Sequence, residues 1–392
     1  MNIIEITDKK TEKDFLKVPK LLYKKDKNWI CPLDIEIENI FDPALNDCFN
    51  HGEAKRWILK DENGDLIGRI AAFYDNRKKD LYDYSTGGAG FFECINDQEA
   101  ANKLFDTAID WLNKKGLKAM QAPVNFGENY MYWGLLVEGF KQQGYGMPYN
   151  FPYYQALFEN YGFKNYFEQF SFHKDTRTPW PPRMIQYAQH VESNPDFTFE
   201  HFRFKNPDKY VDDFVYAFNT IWSGFHDGYT PLQHSEIKKM IDEARFVLDE
   251  EFIWFAYDKG KPAGLVVAFP DINQILKKIK NGKLNILNKL KLFYYRRRAI
   301  TRIRAFIAGI LPEYQQSGLI TALFYQLVKV LEKRKRMNEV EFSWVGDYNP
   351  KMIKIYGMSG FSRHKRHVTY LKIFDPNAPF RRFTNEFEGK LY

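Results

Sequence analysis

The sequence predicts an α/β (α+β) protein of two similar lobes, each a mixed, twisted sheet flanked by helices. Three observations carry that prediction. The 392 residues exceed what one hydrophobic core ordinarily organises and suit two lobes of roughly 150–200 residues each. Strand-like runs alternate with helical patterns along the chain, as in a sheet with helices packed on its faces. The two halves also repeat each other at a nearly constant spacing, which points to internal duplication.

The repeat is visible twice. Trp57–Phe73 reads as strand, tight turn and strand, with Asn63-Gly64 supplying the positive φ angles of a hairpin. Ile253–Phe269 reads the same way, so that Gly64, Gly68 and Phe73 align with Gly260, Gly264 and Phe269. Near the end of each half, Tyr153–Phe163 parallels Lys351–Phe361 at an offset only two residues larger. Between the halves, Thr176–Pro182 holds three prolines in its last four positions, and neither a helix nor a central strand continues through such a run. The expected division is residues 1–175 as a first lobe, 176–196 as a linker, 197–376 as a second lobe with an insert at 271–299, and 377–392 as a tail.

In the second lobe the expected order begins with a strand at Phe197–Arg203 and helices at Pro207–Phe225 and Gln233–Leu248. The hairpin follows, then a strand at Thr301–Leu311, a helix at Leu319–Arg336 and a strand at Glu339–Val345. A short helix at Pro350–Met358 and a strand at Arg366–Phe374 close it. The first lobe has the same order with a shorter middle.

Composition narrows the class. Hydrophobic residues make up 44% and aromatic residues 17%, which argues for packed cores and against disorder. The aromatic richness fits large cores or a pocket for an extended apolar ligand. Cys31, Cys48 and Cys94 are odd in number and lack metal-ligand spacing, so the expectation is a reducing compartment, no disulfide framework and no metal. Met1–Phe15 is charged and does not resemble a signal peptide, and no stretch approaches the ~20 apolar residues that span a bilayer. The expected location is the cytoplasm.

The net charge of +7 is concentrated in one place. Between Asp271 and Ala299, six lysines and three arginines stand against one aspartate. Within 273–298, Ile275, Leu276 and Ile279 share one helical face, and Ile286, Leu287, Leu290 and Phe293 share another after Asn281-Gly282. Two readings stand for this basic, amphipathic hairpin. It lies at the anionic inner face of a membrane, or it covers the protein's own sheet with its cations in water. No base-reading module accompanies the charge, so no specific nucleic acid is expected.

The stretch that carries chemistry is Ile307–Phe324. A strand runs into a loop, and the loop opens an amphipathic helix whose first turn has free N–H groups and the positive end of the dipole. That geometry suits a pyrophosphate, and Gly318 lets it approach the backbone. Here the chain resembles the GNAT superfamily, whose loop has the form Gln/Arg-x-x-Gly-x-Gly/Ala. Gln315 and Gly318 match it, while Ile320 replaces the final small residue and adds bulk at the helix start. A second signature, Asn-x-x-Ala-x-x-Leu-Tyr-x-x-x-Gly-Phe, resembles Asn349–Phe361, with Met352 in place of Ala.

The resemblance implies an acyl-CoA N-acyltransferase fold whose co-substrate is acetyl-CoA or a longer acyl-CoA. It places the pantetheine arm along the backbone of Ala308 and Ile310, and the pyrophosphate at Gln315, Gln316, Ser317, Gly318, Leu319 and Ile320. Tyr356 is implied as the proton donor to the departing thiolate. Asn349 either contacts the coenzyme or caps the helix at Pro350. No general base is readable: Glu341, Ser343 and Asp347 lie on or after the neighbouring strand, and His364 and His367 read as a solvated strand end. The first lobe lacks a phosphate loop at Gly90–Gln98 and has Phe158 where the second has Tyr356. It is expected to form a wall of the substrate pocket, with Tyr149, Tyr153 and Tyr154 as candidates, or simply to pack.

A two-lobed GNAT chain with a basic insert also resembles, more loosely, a bacterial group that includes ceramide-synthase-like acyltransferases. That resemblance implies an amine acceptor of the long-chain-base type. An acyl-tRNA donor, or a GNAT fold kept for binding alone, are the competing expectations.

Overall fold

Short glycine-bearing turns set the frame of both lobes: a two-residue turn at Lys259-Gly260 in the second, and in the first a three-residue turn closed by the Asp61 N–H donating to Asp65 O, where only Gly64, and not the expected Asn63, takes a positive φ. Gly64 and Gly260 hold φ of 84° and 81°, the left-handed conformation that a tight hairpin demands. The structure is a computed structural model and describes residues 1–127, 131–223, 231–279, 281–296 and 298–383.

In the first lobe, β1 (Asn2–Glu5), α1 (Lys9–Leu22) and α2 (Asp34–Ile40) precede the hairpin of β2 (Gly52–Lys60) and β3 (Leu66–Asp75). Then come β4 (Thr86–Cys94), α3 (Gln98–Lys114), β5 (Ala119–Ala122), β6 (Leu135–Glu138), α4 (Tyr154–Asn160) and β7 (Lys164–Asp175). The linker prolines deliver the chain into α5 (Pro182–Glu192), with Pro182 in the first turn, where a missing N–H costs nothing.

The second lobe runs β8 (Phe197–His201), α6 (Pro207–Trp222), α7 (His234–Ala244), β9 (Ile253–Asp258) and β10 (Lys261–Pro270). The insert follows as α8 (Asn273–Leu276) and α9 (Ile286–Tyr295). The lobe ends with β11 (Arg302–Ile310), α10 (Leu319–Lys333), β12 (Glu339–Gly346), α11 (Pro350–Met358) and β13 (Ser362–Ile373). The expected elements are present with shifted ends. The last strand begins at Ser362, before the expected Arg366, and the end of the expected helix Pro207–Phe225 falls partly outside the described residues.

All the strands join one sheet in the order β1-β2-β3-β4-β5-β13-β7-β12-β11-β10-β9-β8, with β6 also pairing with β13. Each lobe's last strand crosses to the other lobe. β7 pairs antiparallel with β12, from Glu339 opposite Asp175 to Gly346 opposite Gln169. β13 pairs with β5, from Tyr370 opposite Ala122 to Ile373 opposite Ala119. The crossing strands also pair with each other, from Ser362 opposite His173 to Leu371 opposite Lys164. Chain order therefore does not partition the sheet.

Alternation assigns the faces. On β11 and β12, Ile303, Ala305, Val340 and Phe342 enter a core built with α5, α10 and α11. Arg302, Arg304, Glu341 and Ser343 alternate with them and are also buried. Helix α10 supplies Leu319, Leu323, Leu327 and Leu331 to the core, each worth about 1.5–3 kcal/mol on full burial. α3 and α4 cover the other half of the sheet with Leu104, Phe105 and Phe158.

The insert divides between its two readings. Ile275, Leu276 and Ile279 are buried; Leu276 and Ile279 meet Ile30 and Leu33 of the first lobe. α9 instead turns Asn288, Leu292 and Tyr295 inward and presents Ile286, Leu287, Leu290, Phe293 and Tyr294 to solvent. Among the described residues no helix is long and apolar enough to cross a membrane.

Candidate active site in the second lobe

β11 and β12 are neighbours that part company. They pair in parallel only from Arg302 opposite Glu339 to Ala305 opposite Phe342. At the next residue, Phe306, the register of β11 with β10 shifts: Val267 faces Ile307 while Ala268 faces Ala305. Such a bulge bends its strand, and beyond it β11 runs on without pairing to β12.

The exposed edge of β11 has a defined polarity. The Leu311 N–H donates to Ala263 O at 2.9 Å, on the β10 side. Alternation then turns Gly309 toward β10 as well, and turns the N–H and C=O of Ala308 and Ile310 into the gap. These are the two residues that the resemblance selected.

The gap leads to the loop. Pro312–Tyr314 makes one 3₁₀ turn, pinned by Tyr314 Oη donating to Asp258 Oδ2 at 2.9 Å. Ser317 Oγ donates to Tyr314 O at 2.7 Å and accepts from the Leu319 N–H at 3.2 Å. Gly318, at φ 80°, is the N-cap of the 15-residue α10. Among the described residues, the N–H groups of Gln316, Gly318 and Ile320 have no hydrogen-bond partner. Gln315 and Gln316 are exposed. The Ile320 side chain is 5% exposed and packs in the core. Its bulk therefore points away from the loop and leaves its N–H available. Sequence reasoning missed one neighbour: a side chain at position 318 would meet the ring of Tyr187, on α5, at 2.5–2.8 Å.

Tyr356 sits in an aromatic box. Its ring packs on Phe342 of β12 (centroids 4.9 Å apart), Phe172 of β7 (5.0 Å) and Phe324 of α10 (5.9 Å). Burial pushes its phenol well above the ordinary tyrosine range, and its hydroxyl has no hydrogen-bond partner among the described residues. Asn349 does what a cap does, with its Oδ1 accepting from the Met352 N–H at 3.1 Å.

The base candidates all have other partners. Glu341 is fully buried, 2.5 Å from Lys365 Nζ, 3.5 Å from Arg302 and in reach of Ser171 Oγ. Burial opposes its ionisation, but Lys365 and Arg302 outweigh burial and hold it well below the carboxylate range. Arg302 is also paired with Asp271, its Nε donating at 2.7 Å. Ser343 Oγ accepts from Arg304 Nε at 2.8 Å. Asp347 pairs with Arg382 at 2.7 Å. This network ties the paired ends of β11, β12 and β13 together, and so fixes the register from which the other ends diverge.

His367 corrects the expectation of a solvated strand end. It is fully buried, edge-on to Trp133 with centroids 4.6 Å apart, because β13 starts earlier than expected and lies inside the sheet. His364 stacks on His173 at 4.6 Å, beside an open cleft of about 400 Å³ lined by Lys141, Arg177, Gln274 and Glu339.

The first lobe shows what a closed version looks like. β4 and β5 also pair in parallel only briefly, from Thr86 opposite Ala119 to Gly88 opposite Gln121. Cys94 faces Gly68 as Ile310 faces Gly264, so the two positions are equivalent. At Cys94 both backbone groups are taken. Its N–H donates to Tyr154 Oη at 2.9 Å, and its C=O accepts from Tyr153 Oη at 2.8 Å. Tyr154, fully buried, also donates to Glu93 at 2.8 Å, and Tyr149 donates to Asp26 at 2.8 Å. The structure thus places these tyrosines in the first lobe's own hydrogen bonds, two of them at the position equivalent to Ile310.

Comparisons agree with this architecture. Residues 215–361 match the acetyltransferase (GNAT) family. Protein YghO of Escherichia coli (strain K12) is 26% identical over 370 residues, 92% of this chain and 92% of that protein. A bacterial ceramide synthase of Caulobacter vibrioides (strain NA1000 / CB15N) is 26% identical over 378 residues, 95% of this chain and 97% of that protein. A tandem GNAT protein from the clavulanic acid biosynthesis pathway superimposes with a TM-score of 0.56 at 11% identity, covering 96% of this chain and 99% of that one. A GCN5-related N-acetyltransferase from Sphaerobacter thermophilus gives 0.51 at 11% identity, covering 97% and 98%. Among the described residues no group of three or more His, Cys, Asp and Glu side chains is placed to hold a metal ion.

Proposed function

We propose that this chain, a GNAT-superfamily protein folded as a tandem, is an N-acyltransferase that uses an acyl-CoA at its second lobe only. One observation carries the reading: Ile310 presents free backbone at the position where Cys94 of the first lobe is closed by Tyr153 and Tyr154. The pantetheine amides would pair with Ala308 and Ile310, as a strand pairs with an open edge. The pyrophosphate would take the N–H groups of Gln316, Gly318 and Ile320 at the positive end of α10.

In the reaction an amine attacks the thioester carbonyl. A C–N bond forms, the C–S bond breaks, the nitrogen releases a proton, and the thiolate takes one. Tyr356 is our proposed donor of that second proton. Burial keeps its phenol protonated over the whole working range, and a donor near the leaving group is worth about 10²–10⁴-fold. The acceptor class we propose is a long-chain amine. The support is the likeness over 95% of the chain to a protein named bacterial ceramide synthase. An acyl-tRNA donor remains the alternative outcome of the test.

The test is calorimetric titration of the full chain with acetyl-CoA and with palmitoyl-CoA. Saturable binding, tighter for palmitoyl-CoA, is the expected result. Folded protein that binds neither would overturn the coenzyme site.

A further inference from the structure

Helix α9 exposes what a water-facing helix ordinarily buries. Ile286, Leu287, Leu290, Phe293 and Tyr294 recur at the spacing of one helical face, and each is more than half exposed, up to 78% at Ile286. Phe246, also exposed, extends the patch, its ring 6.2 Å from that of Phe293. The opposite face is already committed: Leu292 and Tyr295 pack on the core, and Asn288 is buried with its amide donating to Lys283 O at 2.8 Å. The helix is therefore seated on the protein and its apolar row is left over.

The rim is cationic. Lys283, Lys289 and Lys291 are exposed around the row, Arg296 lies over Phe293 at 4.4 Å, and Arg298 lies over Tyr294 at 4.3 Å. None of these cations forms an ion pair among the described residues. The insert's one acid, Asp271, is spent on Arg302. Two copies of this face brought together would set cations against cations, which costs energy on association. An anionic bilayer surface satisfies both halves of the patch, taking the apolar row below its headgroups and the cations at their level.

We infer that α9 is an interfacial anchor that docks this protein on anionic membrane through Ile286, Leu287, Leu290, Phe293 and Tyr294. The anchor excludes Ile275 and Leu276 of α8 and the following Ile279, which are buried. It is separate from the coenzyme loop, so it stands or falls without the catalytic reading.

The experiment is sedimentation of the full chain with vesicles of phosphatidylglycerol and phosphatidylcholine in equal parts, and with phosphatidylcholine alone. Leu290→Glu/Phe293→Glu and Lys289→Glu/Lys291→Glu change only exposed side chains, and a thermal melt checks that both fold. The expected result is wild-type binding to the anionic vesicles, weakened by added salt and lost about tenfold or more in each variant. Wild-type protein that stays in solution with anionic vesicles overturns the proposal. So does a wild-type dimer in sedimentation velocity that Leu290→Glu/Phe293→Glu dissolves, because the patch would then be a self-contact.

Discussion

Replacing Gly318 by alanine separates two things that this residue does. At φ 80° an L-residue is strained, by about 1–2 kcal/mol. A Cβ there would also meet the Tyr187 ring at 2.5–2.8 Å. Tyr187 is 45% exposed and free to swing aside, at about 0.5–1.5 kcal/mol for a displaced rotamer. Gly318→Ala should therefore cost about 2–3 kcal/mol of stability, read from the urea midpoint. A double-mutant cycle with Tyr187→Ala should return the rotamer part and leave the backbone part. Gly318→Asn should cost less, since asparagine tolerates the left-handed region. Coenzyme affinity should follow a different order. Any side chain at 318 crowds the N–H groups of Gln316, Gly318 and Ile320, and losing one charge-assisted bond weakens binding about 10–100-fold. Asparagine should then keep only the rotamer part of the stability cost, about 0.5–1.5 kcal/mol, and still be clearly weaker than wild type for palmitoyl-CoA in calorimetry. If both variants keep wild-type affinity, the phosphates do not sit at this loop and the coenzyme geometry argued above is wrong.

Two further expectations concern single groups. Tyr356→Phe removes a hydroxyl without a partner, so stability should change by less than about 0.5 kcal/mol, while turnover falls about 10²–10⁴-fold with palmitoyl-CoA affinity retained; unchanged turnover leaves Tyr356 a packing residue. Burial, then Lys365, pushes His367 and His364 down to about 3. A depressed folded pKa means that the unfolded chain takes up protons first. The stability these histidines contribute is thus complete above the ordinary histidine range and is lost as pH falls toward the folded value, by at most about 1.4 kcal/mol per pH unit for His367. His364 is partly exposed and should contribute less. Urea midpoints between about pH 7 and pH 4.5 should fall in wild type and fall less in His367→Gln; a flat wild-type profile would refute the assignment.

The local elements were legible and the long-range partners were not. Glycine and proline chemistry gave the hairpins at Gly64 and Gly260 and the break at Pro179–Pro182, because turn conformation is decided by a few adjacent residues. The strand–loop–helix at Ile307–Phe324 was readable for the same reason. Ile320 misled because a loop pattern does not say which way a side chain points; the helix turns it into the core. Tyr153 and Tyr154 were legible as tyrosines but not as the closing groups of the first lobe, since Cys94 lies some 59 residues from Tyr153 in sequence, and Tyr149 was not legible as a partner of Asp26. His367 was misread because its basic neighbours suggested water. Lys365 is as buried as His367, and its charge is met by Glu341 from another strand. The bulge at Phe306 left no signal that periodicity would detect.

The strand exchange makes the lobes inseparable, and this has a direct test. Residues 181–383 contain the coenzyme loop, the open edge of β11 and Tyr356 but lack β7. Without it β12 loses its neighbour from Glu339 to Gly346, and β13 loses both β5 and β7. An exposed inner edge of this kind, with Val340 and Phe342 on one face, is prone to aggregation. Residues 1–180 suffer the reciprocal loss, because β5 and β6 both pair with β13. Each fragment alone should be insoluble or lack a cooperative melt. Co-expressed, the two should recover one cooperative transition and bind palmitoyl-CoA, since the only bond cut lies in the linker. Aromatic packing argues the same way: Phe172 of β7 forms one wall of the box around Tyr356, so the first lobe supplies part of the second lobe's site. A monomeric, cooperatively melting 181–383 fragment that binds palmitoyl-CoA would show that the exchange is dispensable, and that the first lobe was kept for another reason.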